Sequence, residues 1–301
     1  MSSIDLTLIP PPDILDYPEF EALFSQRKAD LLALVPAAIR DTIAASLELE
    51  SEPLTIGLQA DCYRELLFRQ RINEAIKGTF LASATGADLD QFAAGRNIVR
   101  KVIQAADPSA TPPVLEILET DAELRLRCQL FPEKLAAAGP RESYFAHTLD
   151  ASPLVADAQV VNADSGLVPA GTVRVYIKTQ DGSPASGHLI STVYDYLSAD
   201  TRRPLCDTVQ VQAATAKVVA IEWANEYETG PDKSVVYANQ QQAIAALVKK
   251  HAKIGVQLSL SKIIGALDVE GVKKVTLAKP TADVVCDYGQ FPAYTLKSIA
   301  P

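Results

Sequence analysis

Histidine is scarce in this sequence: the 301 residues include only His147, His188 and His251. They lie in three separate segments, and none has the neighbouring Cys, His or Asp residues that a zinc or iron site requires. The chain also has no G-x-S-x-G motif and no cysteine in a nucleophile motif. The sequence therefore predicts no catalytic residue, no metal site, no cofactor and no enzymatic activity.

Cysteine is also rare. Cys62, Cys128, Cys206 and Cys286 lie far apart, and no two of them form a C-x-x-C pair. A free cysteine behaves as a small hydrophobic side chain. We interpret all four as buried free thiols of a protein that folds in a reducing cytoplasm.

Long hydrophobic runs are absent. The longest one, residues 31–39, is interrupted by Pro36, whereas a helix that spans a bilayer needs about 20 apolar residues. Residues 1–5 contain no basic segment that leads into an apolar one, as a signal peptide would. We expect neither membrane insertion nor export by a signal peptide.

A basic stripe is missing as well. The net charge is −9, the pI is about 4.9, and the Lys and Arg residues are dispersed along the chain. Binding to nucleic acid is driven largely by clustered basic side chains that release counterions from phosphates. We therefore expect no nucleic-acid partner.

Two short patterns could be mistaken for catalytic motifs. Residues 182–189 have the glycine spacing of a phosphate-binding loop, but His188 and Leu189 stand where Lys and Ser or Thr are needed. Acidic residues at 119–123 fall at the start of a predicted helix, where they stabilise its N-terminus. Thr120 and Glu123 have the spacing of a capping box. Both patterns are interpreted as structural.

The apolar content, 48%, is sufficient for a large core and for two or three domains. The predicted class is α+β, with a helical amino-terminal region followed by two small tandem α+β modules whose sheets are antiparallel or mixed. The predicted division is a proline-rich arm over 1–18, a helical domain over 19–112, a first module over 113–204, and a second module over 205–301 that ends in a carboxy-terminal tail.

Apolar periodicity predicts the individual elements. Helices are expected over 18–35, 36–45, 58–76, 87–94, 142–149, 189–198, 235–252 and 260–267. Strands are expected over 155–162 and 171–179, as an antiparallel pair, and over 208–227, as one long strand or two. A last strand is expected over 271–278, with the tail beyond it.

Two segments leave alternatives open. The helix over 58–76 is amphipathic, and Tyr63 and Phe68 widen its apolar stripe, so that it faces either an intramolecular bundle or a partner. The basic residues of 96–101 indicate either a solvated loop or a subunit contact.

The proline-containing stretch 106–113 is predicted to be a linker about which modules could reorient.

Several motifs, taken in order, resemble those of the baseplate J-like proteins of contractile phage tails and related particles. The central one has the form G-T-V-x-V, then D-G-x-P, a helix, and R-R-P-L-x-D-x-V-x-V, over residues 171–211. Weaker matches lie at 86–90, 95–96, 120–127, 139–144, 254–255 and 267–272.

The resemblance implies a structural wedge component that takes no part in catalysis. It implies assembly with a small tail protein I-like partner, neighbouring wedge subunits and copies of itself into a six-fold baseplate around the hub. It also implies assembly in the cytoplasm of the producing bacterium, followed by residence in the tail particle. The alternatives are a module that binds the host surface and an unrecognised hydrolase, which would need clustered acids or histidines.

Overall fold

A computed structural model describes residues 4–10, 12, 16–136, 139–230 and 232–299. The chain divides into two compact units, which comprise residues 1–100 with 120–128, and residues 101–119 with 129–301. Part of the predicted arm, including Pro11, lies outside the described residues, and residues 6–8 form a short 3-10 turn. The mixed α+β class is confirmed.

The first unit is helical, as predicted. Its helices are α1 (Phe20–Leu34), α2 (Ala37–Leu47), α3 (Pro53–Lys77), α4 (Gly86–Ala94) and α5 (Asp121–Gln129). Pro36 separates α1 from α2, and Pro53 occupies the first position of α3, where a missing N–H is tolerated. Leu23 and Phe24 of α1 pack against Cys62 of α3.

The second unit begins with a two-stranded antiparallel ribbon, β1 (Val102–Gln104) and β2 (Ile117–Leu118). The prediction of a linker over 106–113 is wrong, because this stretch is the loop of the ribbon and its ends are bridged through Asp107 and Val114. The elements that follow are α6 (Arg141–Ala151), β3 (Val155–Val161), β4 (Thr172–Thr179), α7 (Gly187–Leu197) and β5 (Thr208–Ala213). We call the sheet β3-β4-β5 the first sheet. Its β3 and β4 are antiparallel, as predicted, and β4 and β5 are parallel across the crossover helix α7.

The rest of the unit forms the second sheet, whose order is β10-β6-β8. The elements here are β6 (Thr215–Tyr227), α8 (Lys233–Lys250), β7 (Gln257–Leu258), α9 (Leu260–Leu267), β8 (Val272–Lys279), β9 (Val284–Val285) and β10 (Gln290–Ser298). Strand β6 is parallel to β10 and antiparallel to β8. Ile221 and Trp223 of β6 are buried against Ile244 of α8 and Ile263 of α9.

Three expectations need correction or refinement. The predicted tail after Pro280 is wrong for residues 290–298, which form β10 and pair with β6 along their whole length. The run 208–227 is two strands, and β5 lies in the first sheet. The predicted module boundary after Pro204 remains a prediction, and β5 follows it in the chain.

The cysteines are free, as expected, and Cys62, Cys128 and Cys286 are buried. Burial raises the pKa of the Cys62 and Cys286 thiols. The prediction of burial is wrong for Cys206, which is exposed because it lies in the loop between α7 and β5 rather than on a packed strand or helix.

The capping box of α5 is confirmed. The Thr120 hydroxyl oxygen accepts from the Glu123 N–H at 3.4 Å, and the Glu123 carboxylate accepts from the Thr120 N–H at 2.9 Å. Asp121, in the first turn, accepts from the Gly86 N–H at 3.0 Å and so joins the start of α5 to the start of α4. The first turn of α5 is thus held by its own cap and by α4.

We expect Thr120→Ala to lower the free energy of unfolding by about 1 kcal/mol, since it removes a side-chain acceptor from the start of a helix. Thr120→Ser retains the hydroxyl and should stay within a few tenths of a kcal/mol of the wild type. Urea unfolding followed by circular dichroism measures both. Equal stabilities for the two variants would contradict a stabilising role for the cap.

Candidate interaction surface

The described residues offer no candidate metal site. In these ranges, no group of three or more His, Cys, Asp or Glu residues could hold a metal ion. His251, at the end of α8, has its Nδ1 2.9 Å from the Leu247 carbonyl oxygen. Burial lowers the pKa of His147, which favours the neutral ring. No helix in these ranges has the length and apolar character of a bilayer-spanning segment.

The basic segment 96–101 is used inside the chain. The Arg96 guanidinium lies over the ring of Phe92, 3.9 Å from its centroid. Arg100 is mostly buried and pairs with Asp90 at 2.8 Å and with Asp121 at 2.7 Å. Within the second unit, the Lys101 ammonium donates to carbonyl oxygens at the end of α6. Intrachain pairing, rather than a solvated loop, accounts for these three charges.

Helix α3 presents two different faces. One face is buried and packs against α1 through Cys62, Leu58 and Leu66. Large apolar side chains that solvent reaches lie around the rest of the helix, and we call this set the α3 stripe: Ile56, Tyr63, Leu67, Phe68 and Ile72. Tyr63 lies at the border with α1, since its ring stacks on that of Phe20 with 4.4 Å between the centroids. The exposed fractions of Tyr63, Leu67 and Phe68 are 59%, 65% and 63%. Exposed apolar residues that cluster on one surface mark interaction sites.

A groove follows part of the α3 stripe. This groove is shallow and open, with a volume of about 390 Å³, and the described residues that line it all belong to α3: Asp61, Arg64, Glu65, Phe68, Arg69 and Ile72. An apolar floor with arginines and carboxylates at the rim has the composition of a protein–protein interface. The sequence indicated that the stripe was wide, but only the packing of α1 shows which side of α3 remains open.

The rim of the groove is held by an ion-pair network. Glu65 lies between two arginines, 2.5 Å from Arg27 of α1 and 2.8 Å from Arg69 of α3. Hydrogen bonds from Arg27 and then from Arg69 lower the pKa of Glu65. The network ties α1 to α3 and orders the side chains beside the groove.

A second concave site lies in the second unit. This cleft of about 330 Å³ is lined by residues from separate parts of the chain, including Gly139, Tyr144, Asn162, Gly171 and Asp207. The Tyr144 hydroxyl donates to the Asp207 carboxylate at 2.9 Å, and burial raises the pKa of Tyr144. The raised pKa keeps this hydroxyl protonated at neutral pH. Gly139 has a positive φ of 64° and leaves room for Pro204.

Comparison with known proteins is consistent with these motifs. The model of the Baseplate J-like N-terminal domain matches residues 50–107, and that of the Baseplate J-like central domain matches residues 136–213. Baseplate protein J of Escherichia phage P2 is 37% identical over 290 residues, which cover 96% of this chain and 95% of that protein.

Among solved structures, a chain of the six-fold symmetrised cryo-electron microscopy structure of the anti-feeding prophage baseplate aligns with a TM-score of 0.37 and 14% identity. The alignment covers 64% of this chain and 50% of that one, so this chain spans about half of it. A likeness at this level carries no argument about fold or function.

The Glu65 network predicts a pH dependence. Because the pKa of Glu65 is lower in the folded chain than in the unfolded chain, its ion pairs stabilise the fold above the ordinary pKa of glutamate, and this stabilisation is lost as the pH falls through the lowered value. We expect Glu65→Gln to lower the Tm at pH 7 and the difference from the wild type to shrink as the pH falls from 5 to 3.

Thermal unfolding of both proteins at several pH values measures this difference. Glu74→Gln, which removes an exposed carboxylate from the same helix, controls for the loss of one negative charge. A difference between wild type and Glu65→Gln that stays constant with pH would show that the network does not stabilise the fold electrostatically.

Proposed function

Because this chain belongs to the baseplate J-like family, we propose that it is a structural component of a baseplate wedge in a contractile tail. The observation that carries the proposal is the identity to baseplate protein J over nearly the full length of both chains. The wedge contributes surfaces rather than chemistry. It is assembled in the cytoplasm of the producing bacterium and then belongs to the tail particle.

The α3 stripe supports a helical partner in this wedge. An apolar row on an exposed helix, with a groove beside it, accepts the apolar face of an amphipathic helix. The proposed occupant is the small tail protein I-like partner. Neighbouring wedge subunits and copies of this chain supply the remaining contacts, because repeated use of the same surfaces about an axis closes a six-fold ring.

Deletion of the gene separates this role from binding to the host surface. A wedge component is needed before a particle is complete, so the deletion should yield tails without baseplates when particles are imaged by electron microscopy. Complete particles that fail to adsorb would instead support a module that binds the host surface. Complete particles that adsorb but penetrate poorly would support an enzyme that degrades the cell wall.

A substitution in the α3 stripe tests the surface. We expect Leu67→Glu to weaken the complex with the tail protein I-like partner by roughly tenfold or more, because the variant would bury an unpaired carboxylate against apolar side chains. The side chain is exposed in the free chain, so the variant should fold normally. Co-purification and titration calorimetry measure the affinity.

Val235→Glu is the matched control, since Val235 is an apolar side chain exposed at 57% on a helix of the second unit. It introduces the same charge outside the α3 stripe and should bind the partner as the wild type does. Equal affinities for Leu67→Glu and the wild type would remove the α3 stripe from the interface, whereas the gene deletion would still test the wedge role.

A further inference from the structure

The two sheets of the second unit meet along a contact that the proposed function does not use. We call this contact the seam. It consists of Ala214 between β5 and β6, the polar face of β3 and β4, and two segments of the second module, residues 251–256 and 286–291, the second of which includes the start of β10. Three independent kinds of interaction hold it.

The first is a one-residue connection between two strands. Strands β5 and β6 are separated by Ala214 alone, and they belong to different sheets. The Ala214 N–H donates to the Ile177 carbonyl oxygen of the first sheet at 2.8 Å, and the Thr215 N–H donates to the Gly289 carbonyl oxygen next to β10 at 2.8 Å. The N–H groups of two consecutive residues, Ala214 and Thr215, therefore bond to opposite sides of the seam. Because both are held by hydrogen bonds, the connection between β5 and β6 has no unbonded residue that could act as a hinge.

The second is a set of bonds from side chains to the backbone across the seam. Asp157 of β3 accepts from the Ile254 N–H at 2.8 Å, and Gln159 of β3 accepts from the Gly289 N–H at 2.7 Å. Lys178 of β4 donates to the Ala252 carbonyl oxygen at 2.6 Å. Burial raises the pKa of Asp157 and lowers that of Lys178.

The third is apolar packing at close range. Ala214, Ile254 and Phe291 form a buried cluster against Tyr176 of β4. Gly289, whose φ is 72°, approaches Tyr176 so closely that a Cβ there would lie 2.6 Å from its ring. Because interiors are close-packed, such a contact resists sliding as well as opening.

We propose that the seam locks the two α+β modules of this unit into one rigid lever, so that the unit turns as a whole and does not bend at Ala214. The role of this rigid unit in tail contraction rests on the proposed function, whereas the rigidity itself does not. Any reorientation during contraction then uses joints outside the seam.

A pair of glycine substitutions tests the lock in the isolated full-length chain. Gly289 and Gly166 both have a φ of 72°, so alanine introduces the same backbone strain at either position. Only Gly289 faces the opposite side of the seam, since nothing lies within 4 Å of a Cβ built on Gly166. The difference in stability and exchange rate between Gly289→Ala and Gly166→Ala therefore measures the contact across the seam rather than the backbone strain.

We expect the wild type to unfold both sheets together and Gly289→Ala to lower the Tm by roughly 5 °C more than Gly166→Ala. In hydrogen–deuterium exchange, Gly289→Ala should accelerate exchange in β4 and in β10 by roughly tenfold relative to Gly166→Ala, because a locked seam opens as one unit.

If Gly289→Ala fails to fold, the milder pair Gln159→Ala and Gln159→Glu takes its place. The first removes the acceptor of the Gly289 N–H, and the second retains an acceptor, so only the first should accelerate exchange in both sheets. The proposal is overturned if the wild-type sheets exchange with unrelated rates, or if the seam variants accelerate exchange on one side alone. Since no particle is involved, neither result depends on whether the chain belongs to a wedge.

Discussion

The second unit depends on one constraint: the chain passes directly from β5 of the first sheet to β6 of the second, with only Ala214 between them. Because β5 pairs with β4 and β6 pairs with β10, the single residue between β5 and β6 holds the two sheets next to each other. The polar face of β3 and β4 then meets the loops of the second module in one arrangement. Two modules that look separable along the chain are thus joined by one residue between the edge strand β5 of the first sheet and the central strand β6 of the second.

Local patterns in the sequence were sufficient for the helices. The apolar spacing of α1 and α3, the proline before α2 and the capping box of α5 each act within a few residues, and the structure has the elements where those signals lie. Non-local pairing was harder to foresee. Residues 290–298 have no strong alternation and find their partner, β6, more than 60 residues earlier, so they were expected to form a tail.

The interaction surfaces were only partly visible from the sequence. Tyr63 and Phe68 showed that α3 has more apolar surface than one packed face requires, but the identity of the open face depends on where α1 lies. Alternation along β3 and β4 predicted two strands. It could not show that Asp157 and Gln159 accept hydrogen bonds from loops about 100 residues or more away. The arginines near residue 100 gave the opposite lesson, since a basic cluster proved to be paired internally.

The excess of acidic residues affects how readily copies of this chain associate with one another. An exposed apolar stripe favours association between copies, whereas a net charge of −9 makes copies repel one another at a distance. The repulsion is long-ranged and weakened by salt, while apolar contact acts only at close range and requires matching shape. A partner that offers a complementary helix gains the apolar contact in full, and an identical copy that approaches at random does not. The net negative charge therefore opposes association between copies through the exposed α3 stripe.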